Sequence, residues 1–310
     1  MLKAKQLVNN QETDMCKGNL YYYYLASTGA VVLWSASFIA TKLAYETFAP
    51  IQLGAVRTLF AVILFWLIRK ITSNNEKIKK EDRVRIAFSG FLGITLYFAI
   101  ENVGVSMTSS SNSALIVASF PAVTTLLEFF IYHSKPNIKK ILGIIIAIIG
   151  VVILTQINVD GNSKSMLGNV LLIGAGIVWA FYNFITRDLT NKYSAITLTY
   201  YQIKAGFIFF LPFVIIEGKT WRMPTITSAS AFIYLVVGCS IVAFLLYNLG
   251  LRKLSASISV SIMNLVPVLG LIFSIVILHE TVSTIQILGG VIVIIGVILS
   301  SIQRGENLNV

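Results

Sequence analysis

Ten mostly apolar stretches, separated by short polar connections, organise this chain: 22–45, 50–68, 84–103, 107–131, 138–156, 167–186, 195–216, 229–250, 255–278 and 284–302. A helix needs about 20 residues to cross ~30 Å of hydrocarbon, and the runs are close to that length or longer. They lack the two-residue alternation of a barrel strand and are about twice as long as one, so the pattern predicts spanning helices. The residues before 22 are mostly polar, without a basic start, short apolar core and small-residue cleavage site in succession. No removable signal peptide is predicted, and the first helix serves as the insertion signal.

The pattern occurs twice. GAVVLW at Gly29 to Trp34 returns as GAGIVW at Gly174 to Trp179. The register persists: Lys42 meets Arg187, Asn102 and Gly104 meet Asn248 and Gly250, Pro121 meets Pro267, and His133 meets His279. LGIIIAIIGVVIL (Leu142 to Leu154) then faces LGGVIVIIGVILS (Leu288 to Ser300). Each copy holds five helices, and an odd number makes the second copy enter the membrane from the opposite side. The predicted fold is therefore an all-α integral membrane protein with ten transmembrane helices as two inverted five-helix repeats. Its parts are a tail (1–21), a first repeat (22–156), an outer linker (157–166), a second repeat (167–302) and a tail (303–310). Inverted repeats supply two nearly equivalent conformations, the geometric basis of alternating access to a site between them.

Composition agrees: 56% hydrophobic and 12% charged residues, with a mean hydropathy of +0.81, exclude a soluble surface. With both termini on one side, that side receives eighteen Lys and Arg residues, against Lys164, Lys219, Arg222 and the helix-end Lys42 on the other. This bias predicts a multi-pass plasma-membrane protein with both termini cytoplasmic. The net charge of +11 then reads as an orientation signal and an attraction to the anionic bilayer, with no nucleic-acid partner expected. Lys77, Lys79, Lys80, Arg83 and Arg85 read as a solvated loop.

Enzymatic chemistry finds little support. Cys16 and Cys239 give neither a disulfide framework nor metal-ligand spacing, and His279-Glu280 lacks the second His of an HExxH site. Walker A, GxSxG and CxxC strings are absent from the sequence, so no cofactor, metal, ATP-driven pumping or catalytic residue is expected.

Ten helices in a five-plus-five inverted repeat, Gly-Ala-x-x-x-Trp in helices 1 and 6, Pro in helices 4 and 9, and glycine-spaced closing helices resemble the drug/metabolite transporter superfamily, specifically its EamA-type members. The resemblance covers almost the whole chain. Its most specific part is LHETVSTIQILGGVIVIIGVIL (Leu278 to Leu299), and Arg57 in AVRTLFAVILF resembles an Arg common in helix 2 of these proteins. The first repeat departs from the pattern, with Ser134 where the second has Glu280. The resemblance implies secondary transport of small metabolites, often export of amino acids or their derivatives.

The candidate substrate-binding residues are Trp34, Phe38, Arg57, Ser113, Trp179, Tyr182, Asn183, Lys204 and Asn264. Arg57 is an intramembrane charge that demands a partner or water; it reads as a carboxylate anchor or gate, or as a structural pair with Glu101 or a snorkelling chain. Lys204 has no charged counterpart, since Arg57 maps onto Gln202, and Glu128 is placed to neutralise it. Trp34 and Trp179 lie deeper than the interfacial belts; they line a cavity or pack helices, and Phe38, Tyr182 and Asn183 share their faces. Pro121 and Pro267 interrupt helices 4 and 9 and free carbonyls, which Ser113, Ser119, Ser259, Ser261 and Asn264 can serve, as they can a neighbouring helix or a polar substrate. Glu101, Glu128 and Glu280 are candidate proton carriers. Gly143 with Gly150, and Gly289 with Gly296, permit close packing between repeats or at a homodimer contact.

The function these readings favour is a secondary-active carrier of a small molecule, exporting amino acids or related compounds. The alternatives are uptake of a cationic or quaternary-amine solute in an aromatic cage, and a channel or facilitator pore.

Overall fold

Helix formation follows the apolar runs and is punctuated by their polar and proline residues. In a computed structural model, which describes residues 20–301 apart from 75, 118, 133–137, 155–162, 219–220, 255 and 264, the described part of every predicted segment is mainly helical. We label α1 Leu20–Ala44, α2 Pro50–Ile71, α3 Lys80–Met107, α4 Ser110–Val117, α5 Phe120–Tyr132, α6 Ile138–Leu154, α7 Ser163–Thr190, α8 Ala195–Glu217, α9 Ile226–Leu251, α10 Ala256–Ile262, α11 Leu265–Leu278 and α12 Thr284–Ser301. Among the described residues there is no strand. Seven helical runs there are long and apolar enough to cross a membrane, with three shorter apolar helices inside α6, α11 and α12.

Local chemistry sets the boundaries. Pro50 opens α2, where a fixed φ and a missing donor are harmless. Ser194 and Thr225 precede α8 and α9 and accept the amides of Thr197 and Ser228 at 3.3 and 3.1 Å. Gly218 ends α8 at φ 56°, left-handed backbone that glycine adopts without a Cβ penalty. The prolines act as their positions predict: α4 stops at Val117 and α5 restarts with Phe120-Pro121, while α10 stops at Ile262 and α11 restarts just ahead of Pro267. At the first joint the Ile116 carbonyl accepts both the Ser119 amide at 2.9 Å and its hydroxyl at 2.7 Å.

Two stretches, Phe91–Leu96 within α3 and Tyr234–Val242 within α9, are wound as π-helix. The second overlaps the first shifted by 146 residues, the offset that relates Asn102 to Asn248.

Packing follows a paired scheme: α1 lies against α9, α2 against α8, α3 against α7, α4 against α11, α5 against α10, and α6 against α12. Glycine permits the closest approaches. A Cβ on Gly150 would stand 2.6 Å from the Val293 amide, and one on Gly296 2.6 Å from the Gly143 carbonyl, so the predicted glycine stripes serve the contact between α6 and α12.

Carboxylates tie both ends of the α2–α8 pair. Glu217, closing α8, accepts the Ile51 and Gln52 amides of the first α2 turn at 2.9 Å each. At the other end Glu76, beyond α2, accepts the Ser194 amide at 3.1 Å and its hydroxyl at 2.6 Å, at the start of α8. Both anions sit where helix amides point outward. Nearby, Asp82 accepts Tyr193 Oη at 2.6 Å and Lys192 Nζ at 2.9 Å, and Arg85 pairs with Asp188 at 2.5 Å.

Partial burial raises the Glu76 pKa, but hydrogen bonds from Ser194 and Thr197 outweigh it and hold the carboxyl below its ordinary value of 4.5. A depressed carboxylate contributes stability above its unfolded pKa and loses that contribution as pH falls. Glu76→Gln is expected to cost about 1 kcal/mol at neutral pH, the size of a helix cap. Thermal unfolding of the two proteins should converge as pH drops from 4.5 downward; a gap that stays constant in acid would remove this assignment.

Candidate functional site

The tryptophans that the repeat pairs by sequence meet in space. Trp34 on α1 and Trp179 on α7 pack edge to face with ring centroids 5.6 Å apart. Tyr97 (4.9 Å from Trp179), Phe244 (5.4 Å from Trp34) and Tyr247 (5.1 Å from Trp34) extend the aromatic cluster. Trp34 Nε1 donates to the Cys239 carbonyl at 3.1 Å, inside the π-helical part of α9. Trp179 Nε1 is buried without a well-aligned hydrogen-bond partner among the described residues.

This cluster forms one wall of a narrow cavity. Trp34, Ser37, Phe38, Arg57, Tyr97, Phe98, Glu101 and Trp179 line it, with Val117, Phe244, Met263 and Val266. α1, α2, α3 and α7 thus meet the joints of α4 and α10 and the middle of α9 around a single space.

Arg57 is 4% exposed. Its Nε donates to Ser240 Oγ at 2.5 Å, and its guanidinium carbon stands 4.3 Å above the Phe98 ring centroid. Among the described residues no carboxylate lies within 4.0 Å of it. Glu101, on the same cavity wall, accepts Tyr97 Oη at 2.8 Å. One buried cation and one half-buried carboxylate therefore share an aromatic space without forming a direct pair. Such an arrangement leaves charge-assisted hydrogen bonds open to a bound molecule.

A polar layer lies below Trp179, towards the end of the bundle that carries Arg85 and Asp188. Tyr182 Oη donates to Asn248 Oδ1 at 3.2 Å, Asn248 Nδ2 to Thr199 Oγ1 at 2.8 Å, and Gln202 Nε2 to Ser89 and Thr186 at 3.0 Å each. Tyr247 Oη donates to Asn183 Oδ1 at 2.8 Å. These side chains are buried, and the layer separates the cavity from that end. The cavity instead sits towards the end where Lys42 Nζ donates to the Thr108 carbonyl at 2.5 Å.

Of the residues singled out by sequence, Trp34, Phe38, Arg57, Trp179 and Glu101 come together at the cavity. Tyr182 and Asn183 belong to the polar layer behind it. Ser113 is buried and donates to the carbonyl of Ser109, just ahead of α4, at 2.8 Å. Glu280 accepts the Ser110 amide at 3.1 Å at the start of α4. Lys204 lies apart from the cavity, exposed on the outer face of α8; nine residues into that helix, its rotation turns it outward. Asn264 and the side chain of Glu128 lie outside the described residues. Tyr97, Phe98 and Phe244 were not singled out, although the 146-residue offset pairs Phe98 with Phe244 and Tyr97 precedes Glu101 by one helical turn.

The two indoles differ in a testable way. Replacing either by Phe removes similar ring area, but only Trp34→Phe removes an indole hydrogen bond, the one to the Cys239 carbonyl. Trp34→Phe is expected to be about 1 kcal/mol less stable than Trp179→Phe, read from thermal unfolding in detergent; equal losses would deny the hydrogen bond its role.

Comparison with known proteins follows the same outline. The model of the EamA-like transporter family matches residues 21–156 and 166–302. An "Uncharacterized transporter YetK" from Bacillus subtilis is 27% identical over 289 residues, covering 91% of this chain and 88% of that protein. A "Probable terminal-alkyne amino-acid exporter" of Streptantibioticus cattleyicolor is 23% identical, covering 87% of this chain and 90% of that protein. A solved crystal structure superposes with a TM-score of 0.67 over 90% of this chain and 97% of its own, at 14% identity, and shares the fold. With the family pattern spanning both halves and a charged aromatic cavity between them, the chain belongs to the EamA-like transporter family.

Proposed function

We propose that this transporter is a secondary-active exporter of amino acids or closely related zwitterions, working by alternating access of two inverted five-helix repeats in the plasma membrane. The observation that carries the substrate class is Arg57, a buried guanidinium facing an aromatic cavity that also holds Glu101. Arg57 takes the substrate carboxylate, Glu101 faces its ammonium or carries a coupling proton, and the rings cover its apolar part. The relative named as an amino-acid exporter supports this class.

The helix pairing supports the repeat reading: exchanging the five-helix halves maps α1–α9 onto α7–α3 and returns the α2–α8 and α6–α12 pairs to themselves. The overlapping π-helical stretches support it too. Ten crossings follow when α4–α5 and α10–α11 each count as one interrupted span and α6 and α12 as one each. The Lys and Arg bias supports an orientation with Arg85 and both termini on the cytoplasmic side. On that orientation the buried polar layer is a closed cytoplasmic gate, and the cavity belongs to the outer side.

Counterflow in proteoliposomes tests the proposal. Vesicles loaded with unlabelled amino acids are expected to accumulate a labelled member saturably, whereas a channel would equilibrate it without saturation. The aromatic lining favours one rival, a quaternary-amine carrier; accumulation of choline-like solutes but of no amino acid would replace the proposal with it.

A further inference from the structure

Lys204 is a cation inside a membrane-length helix, exposed on its outer face and about 14 Å below the start of α8 at 1.5 Å per residue. Such a residue requires a counter-charge. It lines an open groove between α8 and the start of α3, with Lys77 and Arg83 as its other charged walls. No carboxylate lines that groove. Among the described residues, the side chains of Lys77, Arg83 and Lys204 make no ion pair or hydrogen bond. Three other cations at this end are engaged: Arg85 with Asp188, Lys192 with Asp82, and Arg69 with the carbonyl of Glu76 at 2.7 Å.

The remaining walls include Ile78, Ile86, Tyr201 and Ile208. Beyond the groove, Val84, Phe88 and Phe209 are exposed apolar side chains. The space therefore offers three unpaired cations along one groove with apolar side chains beside them, which complements an anionic head group carrying an acyl chain.

We infer that the groove formed by Lys77, Arg83, Lys204 and the apolar faces of α3 and α8 is a binding site for an anionic phospholipid. The phosphate lies among the three cations, and an acyl chain runs along Ile208 towards Phe88 and Phe209. The site is separate from the central cavity, and the inference does not depend on which solute is carried.

Titration of the purified full chain in neutral detergent tests this, with phosphatidylglycerol, phosphatidylcholine and water-soluble glycerol phosphate as probes and thermal unfolding as readout. Phosphatidylglycerol is expected to raise the Tm by several degrees, while the other two leave it unchanged. The triple variant Lys77→Gln, Arg83→Gln, Lys204→Gln should match wild type in phosphatidylcholine, which establishes that it folds, and need at least tenfold more phosphatidylglycerol for the same shift. The control Arg252→Gln, Lys253→Gln, exposed at another connection, should respond like wild type. An undiminished shift in the triple variant, or an equal loss in the control, would overturn the site. A shift with glycerol phosphate alone would assign the groove to a soluble anion, and an equal shift with phosphatidylcholine would reduce it to chain packing; either result also overturns the inference.

Discussion

Replacing Arg57 by Met is expected to abolish amino-acid counterflow while leaving the protein folded and at least as thermally stable as wild type. The two effects separate because of how the guanidinium is held. It is 4% exposed, yet it has one side-chain hydrogen bond, to Ser240, and an aromatic face at Phe98. A buried charge so sparsely partnered is a poor contributor to stability, and an apolar side chain of similar volume commonly serves the fold as well or better. Losing charge-assisted contacts to a substrate carboxylate should cost about 2–3 kcal/mol, roughly 30- to 150-fold in affinity. The measurements are initial counterflow rate and Tm on the same preparation. Retained flux would strip Arg57 of its anchor role; parallel loss of flux and Tm would make it structural. Transport of a quaternary amine, if any is detected, should survive the substitution.

The largest stability effect is expected at Gly90. A Cβ there would collide with the carbonyl of Gln202, because α3 and α8 cross with backbones in contact; Gly206 on α8 is equally confined, its Cβ falling 2.5 Å from Ile94 Cβ. Backbone atoms cannot rotate aside as a flexible side chain can, so the helices must separate. Gly90→Val should destabilise by about 3 kcal/mol, the upper part of the usual overpacking range. The same displacement pulls Gln202 from Ser89 and Thr186, so the polar layer should also leak, seen as faster thiol labelling of a cysteine introduced at Thr186. A Tm within one degree of wild type would show that the crossing is looser than described.

Much of this architecture can be read from particular residues. The prolines at 121 and 267 mark the joints because a missing amide and a clashing ring leave few ways to continue a helix. The recurrence of Gly-Ala-x-x-x-Trp brings Trp34 and Trp179 to one cavity, since equivalent positions of interlocking halves converge. The outward face of Lys204 is not legible: α8 is apolar nearly all round, and lipid and protein neighbours are equally content with such a surface, so periodicity carries no directional information. The π-helical turns are equally silent, because their sequences have the composition of ordinary apolar helix. Tyr182 and Asn183 share a helix face with Trp179, yet spacing fixes the face and not the depth, and one further turn places them in the polar layer.

The two carboxylates on the α2–α8 pair bear on how the bundle can move. Each joins the tail of one helix to the head of the other, at opposite ends of the pair. Sliding α8 along α2 by one turn, about 5.4 Å, would strip both Glu76 and Glu217 from their amides together, so the pair behaves as a strut that resists shear from either end. On the proposed alternating-access mechanism, rocking would then fall to the ends of α4 and α5 and of α10 and α11, where Val117, Met263 and Val266 face the cavity. On that mechanism, a bound molecule would press directly on the two places where the frame bends.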